Sequence, residues 1–425
     1  MLQFDMKKHP LKALVLGAGA RGTFAYAPYA IEHPDELEIV AVAEPNALRR
    51  HRISALHDIR PNHQFQTWQD ALSQPKLADV IINTTQDQMH YASTMAALEA
   101  GYDVLLEKPI TNTLAETVAL IRAAEKHGRL LQICHVLRYT NFFAKLHEVV
   151  RSGRLGEIVN VTHRENVRYT HMAHSFVRGN WRNSAESSPM ILAKCCHDLD
   201  ILQWNMGQPV THLHSFGSLM HFRPENAPSD ATDRCTTSCP AAENCPFDAR
   251  RYYLDPARKN WARKIADSTE PTKIQHALET GPYGRCVYKC DNDVVDHQTV
   301  NMQFANGATV TLIMQGHSHD ESRTMRYDGT RATLRGKFDY ENGWIEIHDH
   351  LTDQVEKIVI PAGDSGHGGG DLGIIGSFVK AACGEAEAMT TARESLESHL
   401  MAFAAEKSRR DKIVINMMTF RSHTI

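Results

Sequence analysis

The stretch CCHDLDILQW at residues 195–204 carries two thiols, an imidazole and two carboxylates in what the spacing predicts to be one amphipathic helix. Lys194, His197 and Asp200 follow at spacings of three, so their side chains can interact on one helix face. The group could bind a metal ion, hold a structural histidine or transfer protons. A lysine beside the imidazole opposes a bound cation and lowers the histidine pKa, so the pattern favours acid–base catalysis.

Further polar groups follow the predicted strands in the N-terminal part of the chain. The segment INTTQDQMH supplies Thr84, Thr85 and His90, and VLLEKPI supplies Glu107 and Lys108. Ligands of open parallel sheets bind outside the carboxyl ends of the strands, so we expect these side chains at one crevice. The proline after Lys108 disfavours helical backbone there and should fix the lysine at a strand–loop corner, although a solvated charge is the alternative.

A glycine-rich junction, VLGAGARG, follows the first predicted strand and precedes a predicted helix. Gly17, Gly19 and Gly22 fit G-x-G-x-x-G, in which the glycines permit a tight turn, close approach to a pyrophosphate and close helix–sheet packing. The second predicted strand ends at Glu44, where a carboxylate would accept a hydrogen bond from a ribose hydroxyl. The sequence therefore predicts a dinucleotide-binding loop, which also includes Ala20 and Arg21.

The choice of dinucleotide depends on charge near the ribose. The Glu44 carboxylate would repel the 2′-phosphate of NADP, so the sequence favours NAD as the cofactor. Arg49 and Arg50 lie one helical turn later and could neutralise that phosphate, which keeps NADP open.

The elements that would position these groups alternate between strand-like and helix-like segments over the first 135 residues. Short apolar runs lie at 13–16, 39–43, 80–82, 104–106 and 130–133. Helically spaced segments separate them, and two of these end at Gly101 and Gly128. Strands buried on both faces and joined by helices predict a parallel, doubly wound sheet, so we expect residues 1–135 to form an NAD(P)-binding domain.

From about residue 296 the pattern becomes that of a second, largely antiparallel sheet. Alternating strands flank the hairpin signal Asn306-Gly307, and more strands are predicted at 332–336, 344–348 and 356–360. A glycine loop at 363–371 precedes a predicted helix at 372–382, and we expect that loop to be flexible. We assign residues 136–425 to a second domain that contains this sheet.

A polar and aromatic segment precedes the helix that carries His197. Carbohydrate pockets combine hydrogen bonders for hydroxyl groups with an aromatic face, and this segment offers Glu165, His171, His174, Arg178, Asn180 and Trp181. His135 and Arg138 follow the last predicted strand, where an arginine could recognise a sugar carboxylate. Asp198 is a further candidate for substrate binding. The alternative is a solvated loop with a buried tryptophan.

Five cysteines lie in a predicted insertion at about residues 225–290, in the segments DRCTTSCPAAENCPFDARRYY and GRCVYKC. Four thiolates can hold a structural zinc ion in a tetrahedron, and the candidates are Cys235, Cys239, Cys245 and Cys286, with Cys290 as an alternative fourth ligand. The spacing C-x3-C-x5-C differs from the usual C-x2-C knuckle. Iron–sulfur ligation, a disulfide and unligated thiols therefore stay open.

Composition restricts the classes of partner. The 425 residues carry a formal net charge of -4, with 42% hydrophobic and 23% charged residues, as in ordinary globular proteins. No long basic run is present, so nucleic-acid and membrane-surface partners are disfavoured. The sequence has no stretch of about 18 consecutive apolar residues and no signal-peptide pattern, so we expect a cytoplasmic protein whose nine cysteines are thiols or metal ligands.

Taken together, the motifs resemble the glucose-fructose oxidoreductase, inositol dehydrogenase and rhizopine-catabolism family (Gfo/Idh/MocA). The resemblance rests on G-x-G-x-x-G, the acid after the second strand, T-x-D-x-x-H, EKP at 107–109 and CHDLDILQW, which together span residues 13–204. It implies a Rossmann domain followed by an α/β domain whose open sheet covers the nicotinamide. Many relatives assemble through that sheet, so the resemblance also implies that residues 136–425 form a substrate-binding and oligomerisation α/β domain with an open mixed sheet, and that the protein is a homo-oligomer.

The resemblance implies roles for two side chains. His197 matches the family's catalytic histidine, and Lys108 matches the lysine that contacts both substrate and cofactor. Oxidation of a secondary alcohol needs a base for the hydroxyl proton, and a histidine suits this task. Family members often carry an aspartate four residues before the histidine, where this chain has Ala193 followed by Lys194, so the identity of the proton acceptor stays open.

Three functions are consistent with these motifs. The leading hypothesis is an NAD(P)-dependent oxidoreductase that transfers a hydride between nicotinamide and a secondary hydroxyl of a sugar, inositol or sugar acid. An NAD-assisted glycoside hydrolase of the same family would use the same cofactor without net oxidation. A non-catalytic sugar or nucleotide sensor is the third, and the presence of both Lys108 and His197 argues against it.

Overall fold

The computed structural model describes residues 9–422, which form two compact units. The first unit contains residues 9–147 and 361–400, and the second contains residues 148–360 and 401–422. Residues 1–8, at the start of the segment in which we predicted no signal peptide, lie outside the described residues. Within residues 9–422, the helices are too short or too polar to cross a lipid bilayer.

A parallel sheet forms the centre of the first unit, and its described strands are β1 (Leu11–Leu16), β2 (Leu37–Ala43), β3 (Gln64–Phe65), β4 (Val80–Asn83), β5 (Asp103–Leu106) and β6 (Leu131–Ile133). Their order is β3-β2-β1-β4-β5-β6, and every pair runs parallel. This is the strand order of a doubly wound dinucleotide-binding sheet. The predicted parallel sheet is confirmed.

The α-helices of the described chain follow in sequence order. They are α1 (Pro28–Glu32), α2 (Ala47–Leu56), α3 (Trp68–Leu72), α4 (His90–Glu99), α5 (Leu114–His127), α6 (Asn141–Arg151), α7 (Tyr169–His171), α8 (Met190–Ala193), α9 (Cys196–Met206), α10 (Ala249–Tyr253), α11 (Lys259–Ala266), α12 (Pro271–Thr280), α13 (Gly370–Ala382), α14 (Ala392–Asp411) and α15 (Met417–Ser422). Within residues 9–422, two segments have π-helical geometry, at Arg21–Tyr26 and Met172–Arg178.

Residues 361–400, which we assigned from sequence to the second domain, belong to the first unit. Helix α13 places Ile374, Ile375 and Phe378 in the same apolar core as Val15 and Ile82 of the parallel sheet. An amphipathic helix buries its apolar face wherever the chain offers an apolar surface. The sequence pattern identified the helix, but it contained no information on which sheet the helix packs against.

The second unit contains a mixed sheet, with described strands β7 (Ile158–Arg168), β8 (Val210–Ser218), β9 (His297–Phe304), β10 (Thr309–Ser318), β11 (Ser322–Gly329), β12 (Ala332–Phe338), β13 (Asn342–Asp349), β14 (Val355–Pro361) and β15 (Ile415–Asn416). Their order is β14-β13-β12-β11-β7-β10-β9-β8-β15. Strands β7 and β10 are parallel, whereas β7–β11 and β9–β10 are antiparallel. The expected open, largely antiparallel sheet and the hairpin at Asn306-Gly307 are confirmed, and Gly307 has the positive φ of 89° that the turn requires.

The helix predicted at residues 195–204 is present as α9, but Lys194 and Cys195 are not part of it. Helix α8 ends at Ala193, Lys194 and Cys195 form a turn, and α9 begins at Cys196. Helix α9 is also more buried than an amphipathic helix, because His197 and both of its aspartates lie inside together with the apolar side chains. The break separates the lysine from the histidine, so they are not successive members of one regular helical face.

Candidate functional site

The glycine loop after β1 has the geometry that a dinucleotide requires. Gly17 has a φ of 86°, and a Cβ atom there would lie 2.7 Å from the carbonyl oxygen of Thr84. A Cβ on Gly22 would lie 2.2 Å from the Gly17 carbonyl oxygen, so the helix can lie this close to the strand only because residue 22 is glycine. In contrast, no atom lies within 4 Å of a Cβ placed on Gly19. The loop thus leaves open space at the position where a pyrophosphate approaches the backbone.

The carboxylate of Glu44 lies beside this loop at the end of β2. One oxygen accepts a hydrogen bond from the N–H of Ala18 at 2.7 Å, and the other accepts from the N–H of Asn46 at 2.9 Å. A carboxylate oxygen accepts more than one hydrogen bond, so Glu44 retains capacity for a ribose hydroxyl. Arg50 donates to the carbonyl oxygen of Glu44 at 2.5 Å and supports the strand end. These contacts fit a bound NAD.

The predicted strand-end residues come together through hydrogen bonds within the first unit. Thr84 donates to the carbonyl of Gly17 at 2.6 Å, and the hydroxyl of Thr85 donates to the Asn83 side chain at 2.8 Å. The two ring nitrogens of His90 lie 2.7 Å from the Pro109 carbonyl and 3.1 Å from the Thr85 carbonyl. His90 therefore connects the loop after β4 to the Lys108-Pro109 corner after β5.

Arg21, inside the glycine motif, forms ion pairs with two carboxylates. Its Nε lies 2.5 Å from Oε1 of Glu107, and its two terminal nitrogens lie 2.9 and 2.8 Å from the two oxygens of Asp371. Tyr26 donates to the same Glu107 oxygen at 2.5 Å, and the guanidinium lies 4.5 Å from the centre of the Tyr26 ring. His367 completes the group, with Nδ1 at 2.9 Å from Asp371. Arg21 thus anchors the glycine loop at 363–371.

Neighbouring groups determine which side chains of this group are charged. Burial alone would raise the pKa of Glu107 and of Asp371. Arg21 and Lys108 outweigh burial at Glu107, and His367 and Arg21 outweigh it at Asp371, so both pKa values lie below their ordinary values. Burial lowers the pKa of His367 and favours its neutral form. The group therefore combines one guanidinium with two carboxylates at neutral pH. The Lys108 N–H donates to Oε2 of Glu107 at 3.0 Å, so the same network reaches the predicted catalytic lysine.

A second group of polar side chains lies inside the second unit and contains Lys194. Its amine lies 3.2 Å from Glu165 on β7 and 3.0 Å from Glu321, and His171 lies 2.8 Å from the same Glu321 oxygen. Burial would lower the pKa of Lys194, but Glu165 and Glu321 outweigh it and raise that pKa well above its usual value. Lys194 is therefore a persistent cation in this group.

The two carboxylates beside Lys194 have opposite tendencies. Burial raises the pKa of Glu165 to about 7, even though Arg323 and Lys194 oppose the shift. For Glu321, His171 and Lys194 outweigh burial and hold the pKa well below its ordinary value. Neighbouring carboxylates with separated pKa values are a feature of sites that handle protons.

Arg323 connects this group to helix α9. It lies opposite Glu165 in the β7–β11 register, and its guanidinium contacts Glu165 at 2.6 Å and Asp198 at 2.8 Å. The same oxygen of Asp198 lies 2.8 Å from Nε2 of His163. Arg323 and its partners are almost fully buried. Arg323 and His163 outweigh burial and lower the pKa of Asp198. Asp198 therefore fixes α9 against the sheet.

His197 and Asp200 lie on α9 next to this buried pair. His197 is 6% exposed and Asp200 is 1% exposed. His197 directly precedes Asp198, and Asp200 lies two positions after it. The Asp198–Arg323 ion pair therefore fixes the helical backbone that carries both residues. Their predicted catalytic roles stay predictions.

The remaining substrate candidates are divided between the two units, and two of them contact the cysteine-rich insertion. His174 lies 2.6 Å from the Tyr253 hydroxyl, and Arg178 donates to the carbonyls of Arg285 at 2.7 Å and Phe247 at 2.8 Å, so both contact the cysteine-rich insertion. The other four are Asn180, which is exposed, Trp181, which is partly buried, and the buried His135 and Arg138 of the first unit.

Sequence reasoning did not identify Glu321, Arg323, His163 or the Arg21–Asp371 pair as members of these groups. Glu321 and Arg323 flank the start of β11, and only the pairing of β11 with β7 brings Arg323 to Glu165. The one available signal was the charge-rich segment SHDESR between two predicted strands. In the described residues, no three histidine, cysteine or acidic side chains already form a metal-binding group.

Comparison with known proteins agrees with the fold and the nucleotide loop. Residues 11–135 match a family model described as an oxidoreductase family, NAD-binding Rossmann fold, and residues 147–417 match the C-terminal alpha/beta domain of the same family. YteT of Bacillus subtilis is 22% identical over 71% of this chain and 72% of its own length. The scyllo-inositol 2-dehydrogenase (NADP(+)) IolW of Bacillus subtilis is 28% identical over 37% of this chain and 42% of its own length.

Among solved structures, the WlbA dehydrogenase from Bordetella pertussis, in complex with NADH and UDP-GlcNAcA, is similar in fold. It has a TM-score of 0.66 and 16% sequence identity, and the match covers 96% of this chain and 99% of that chain. Identity at this level establishes the shared fold, whereas the chemistry depends on the residues of the site.

Proposed function

The chain belongs to the Gfo/Idh/MocA oxidoreductase family, and from that premise we propose that it transfers a hydride between NAD and a secondary hydroxyl of a sugar, inositol or sugar acid. The observation that carries the proposal is the glycine loop, with its open space at Gly19 and the carboxylate of Glu44 at the end of β2. The inositol dehydrogenase IolW and the WlbA complex with a nucleotide sugar support a carbohydrate-like substrate.

The residues that would hold the cofactor are those of the loop and strand ends. The open side of the loop at Gly19 would take the pyrophosphate, Glu44 would accept from the ribose, and Thr84 and Thr85 would border the crevice. Bound NAD supplies the acceptor for the hydride. Glu44 also favours NAD over NADP because its charge repels a 2′-phosphate, although IolW shows that a relative uses NADP.

We assign proton transfer to His197 and polarisation of the reacting oxygen to Lys108. A histidine accepts a hydroxyl proton readily near neutral pH, and a lysine ammonium stabilises the negative charge that develops on that oxygen. Lys194 was the other candidate for the proton acceptor. Two carboxylates keep Lys194 protonated, which leaves it unsuited to accept a proton and supports His197 in that role.

A glycosidase that uses NAD without net oxidation is the second candidate from the family resemblance. A panel of sugars, inositols and sugar acids, incubated with NAD or NADP, separates the two by the absorbance of reduced nicotinamide. We expect reduced nicotinamide to accumulate with at least one member and NAD to be the better cofactor. Release of the aryl group from aryl glycosides without reduced nicotinamide would indicate the glycosidase, and binding without either signal would indicate a sensor.

We further propose assembly into a homo-oligomer through the sheet of the second unit. Along β10 every second side chain is buried, and the side chains between them are partly or fully exposed. Such a strand packs one face of its sheet on the core and leaves the other face available to a second subunit.

A further inference from the structure

Four cysteines of the insertion line one small cavity in the second unit. The cavity has a volume of about 20 Å³, and its lining includes Cys235, Cys239, Cys245 and Cys286 together with Arg178. A space of this size holds about one water molecule or one ion, and no organic ligand. Thiols from four positions in the sequence therefore converge on a volume suited to an ion.

Backbone pairing explains how the two cysteine segments meet. Arg234 and Arg285 form an antiparallel bridge, and the N–H of Cys235 donates to Gly284 at 2.9 Å. Side chains alternate between the two sides of paired strands, so Cys235 and Cys286, each next to a bridged arginine, project from the same side. The main chain thus fixes one pair of thiols before any side-chain contact is considered.

Hydrogen-bond donors are directed at all four sulfur atoms. Cys239, Cys245 and Cys286 each accept from the backbone N–H two residues further along the chain. Arg178 donates to the sulfur of Cys235 at 3.6 Å. Donors of this kind commonly surround the sulfur ligands of metal sites.

We propose that this cavity binds one zinc ion through the thiolates of Cys235, Cys239, Cys245 and Cys286. Zinc favours four sulfur ligands in a closed tetrahedral site when its role is structural. Each thiol that becomes a ligand releases its proton to solvent, and no electron transfer is involved. Four thiolates and one Zn²⁺ carry a net charge of about -2, which Arg178 partly offsets.

Cys290 is excluded as the fourth ligand by its surroundings. Its sulfur lies 3.2 Å from the carbonyl oxygen of Cys286, and Cys290 is absent from the lining of the cavity. Among the described residues, no three histidine, cysteine or acidic side chains are already arranged to hold a metal ion. Zinc binding therefore includes a contraction of the cavity that brings the four sulfurs to about 2.3 Å from the ion.

The insertion has a physical need for such a link. Its own apolar core is small, with the buried residues Cys235, Ala249, Tyr253, Ala262, Ile274 and Leu278. A core of this size stabilises little by itself, and small units of this kind commonly gain stability from a metal. His174 and Arg178 contact the insertion, so the zinc ion would also fix two residues that precede helix α9.

Metal content of the purified full-length protein tests the proposal directly. We expect about one zinc per chain by mass spectrometry of the metal, and we expect the Cys245→Ser variant to retain less than about a fifth of that amount. Cys290→Ser and Cys383→Ser, which change a neighbouring and an exposed cysteine, should keep the full content.

A second measurement does not depend on how well a variant folds. Wild-type protein treated with a chelator and then titrated with Co²⁺ should show thiolate-to-cobalt absorption and the visible bands of tetrahedral cobalt, saturating at about one ion per chain. Absence of these bands together with zinc-free protein would overturn the proposal. So would a disulfide between two of the four cysteines, or loss of zinc in Cys290→Ser equal to that in Cys245→Ser.

Discussion

Gly19 and Gly22 belong to the same motif but have different surroundings, and their replacement by alanine should have different effects. A Cβ on Gly22 meets the backbone of Gly17 at 2.2 Å, so Gly22→Ala should destabilise the fold by about 3 kcal/mol. A Cβ on Gly19 meets nothing within 4 Å, so Gly19→Ala should fold normally. It should nevertheless weaken NAD binding about 10- to 100-fold, because the methyl group enters the space of the pyrophosphate.

Urea unfolding and calorimetric NAD titration measure the two effects separately. Equal NAD affinity of Gly19→Ala and wild type would show that the dinucleotide does not approach this loop. Normal stability of Gly22→Ala would show that the helix after β1 can move away from the strand.

We expect the charge of Glu44 to favour NAD over NADP. Glu44→Gln keeps an oxygen that can accept from Ala18 and removes the negative charge. We expect the ratio of NAD affinity to NADP affinity to fall about tenfold, which corresponds to about 1.4 kcal/mol. Glu38→Gln is the matched control, since Glu38 is exposed on the same strand. An unchanged ratio in Glu44→Gln would remove Glu44 from the site.

At the level of single residues, the sequence predicted side chains whose function depends on local spacing. The three glycines and the acid after the second strand belong to one strand–helix–strand unit, so their relation is visible in the sequence. Glu321 and Arg323 were missed because their contacts depend on the pairing of β7 with β11, which are far apart in the chain. Spacing along a chain does not encode such pairing.

Among the elements, the loop at 363–371 depends on one ion pair. Asp371→Asn removes the charge that pairs with Arg21, and we expect the free energy of unfolding to fall by about 2 kcal/mol at pH 7. The loop should also become more accessible to proteases. Asp364→Asn, an exposed aspartate of the same loop, is the control and should leave both properties unchanged. Equal stability of Asp371→Asn and wild type would contradict the anchoring role of Arg21.

The same ion pair predicts a dependence on pH. Arg21 and His367 outweigh burial and lower the pKa of Asp371 below its ordinary value of 3.8. A carboxyl group whose pKa is lowered by folding stabilises the native state above its unfolded pKa and loses that contribution as the pH falls. The stability difference between wild type and Asp371→Asn should therefore be constant above about pH 5 and shrink below about pH 4. Urea unfolding at several pH values measures it, and a difference that grows in acid would contradict the assignment.

The elements themselves were predicted where their pattern is local. The parallel strands and the Asn306-Gly307 hairpin follow from apolar runs and turn residues. The break at Lys194 and Cys195 was not predicted, because apolar residues continue through it at helical spacing, at Ile191, Cys195 and Leu199. The deciding contacts of Lys194 come from Glu165 and Glu321. Similarly, the helix at 370–382 was expected, but its partner in the first unit was not.

At the scale of the whole molecule, the proposed homo-oligomer is tested by mass in solution. We expect light scattering after size exclusion to give a multiple of the 47.7 kDa chain. Ile313→Arg places a charge on a partly exposed position of β10 and should dissociate the assembly. Glu341→Arg, at an exposed position outside the strands, is the control. A wild-type monomer would refute assembly through this sheet.

The two-part organisation of the chain could be recognised from motifs, whereas its substrate could not. The family resemblance depends on short motifs near strand ends and helix starts, and these contain the proposed cofactor-binding residues and the proposed proton acceptor. Substrate stereochemistry depends on side chains that the fold collects from distant segments. The group around Lys194 is assembled in this way from distant segments, because β7 supplies Glu165 and the start of β11 supplies Glu321 and Arg323.

The central claim is net oxidation of a carbohydrate-like hydroxyl with His197 as proton acceptor. Product analysis with the best substrate of the panel tests it most directly, by counting reduced nicotinamide and oxidised carbohydrate in the same reaction. We predict one reduced nicotinamide for each carbohydrate molecule that has lost two hydrogen atoms. In His197→Ala we predict a rate at least about 100-fold lower, with unchanged NAD affinity. Cleaved carbohydrate without reduced nicotinamide, or full turnover in His197→Ala, would contradict it.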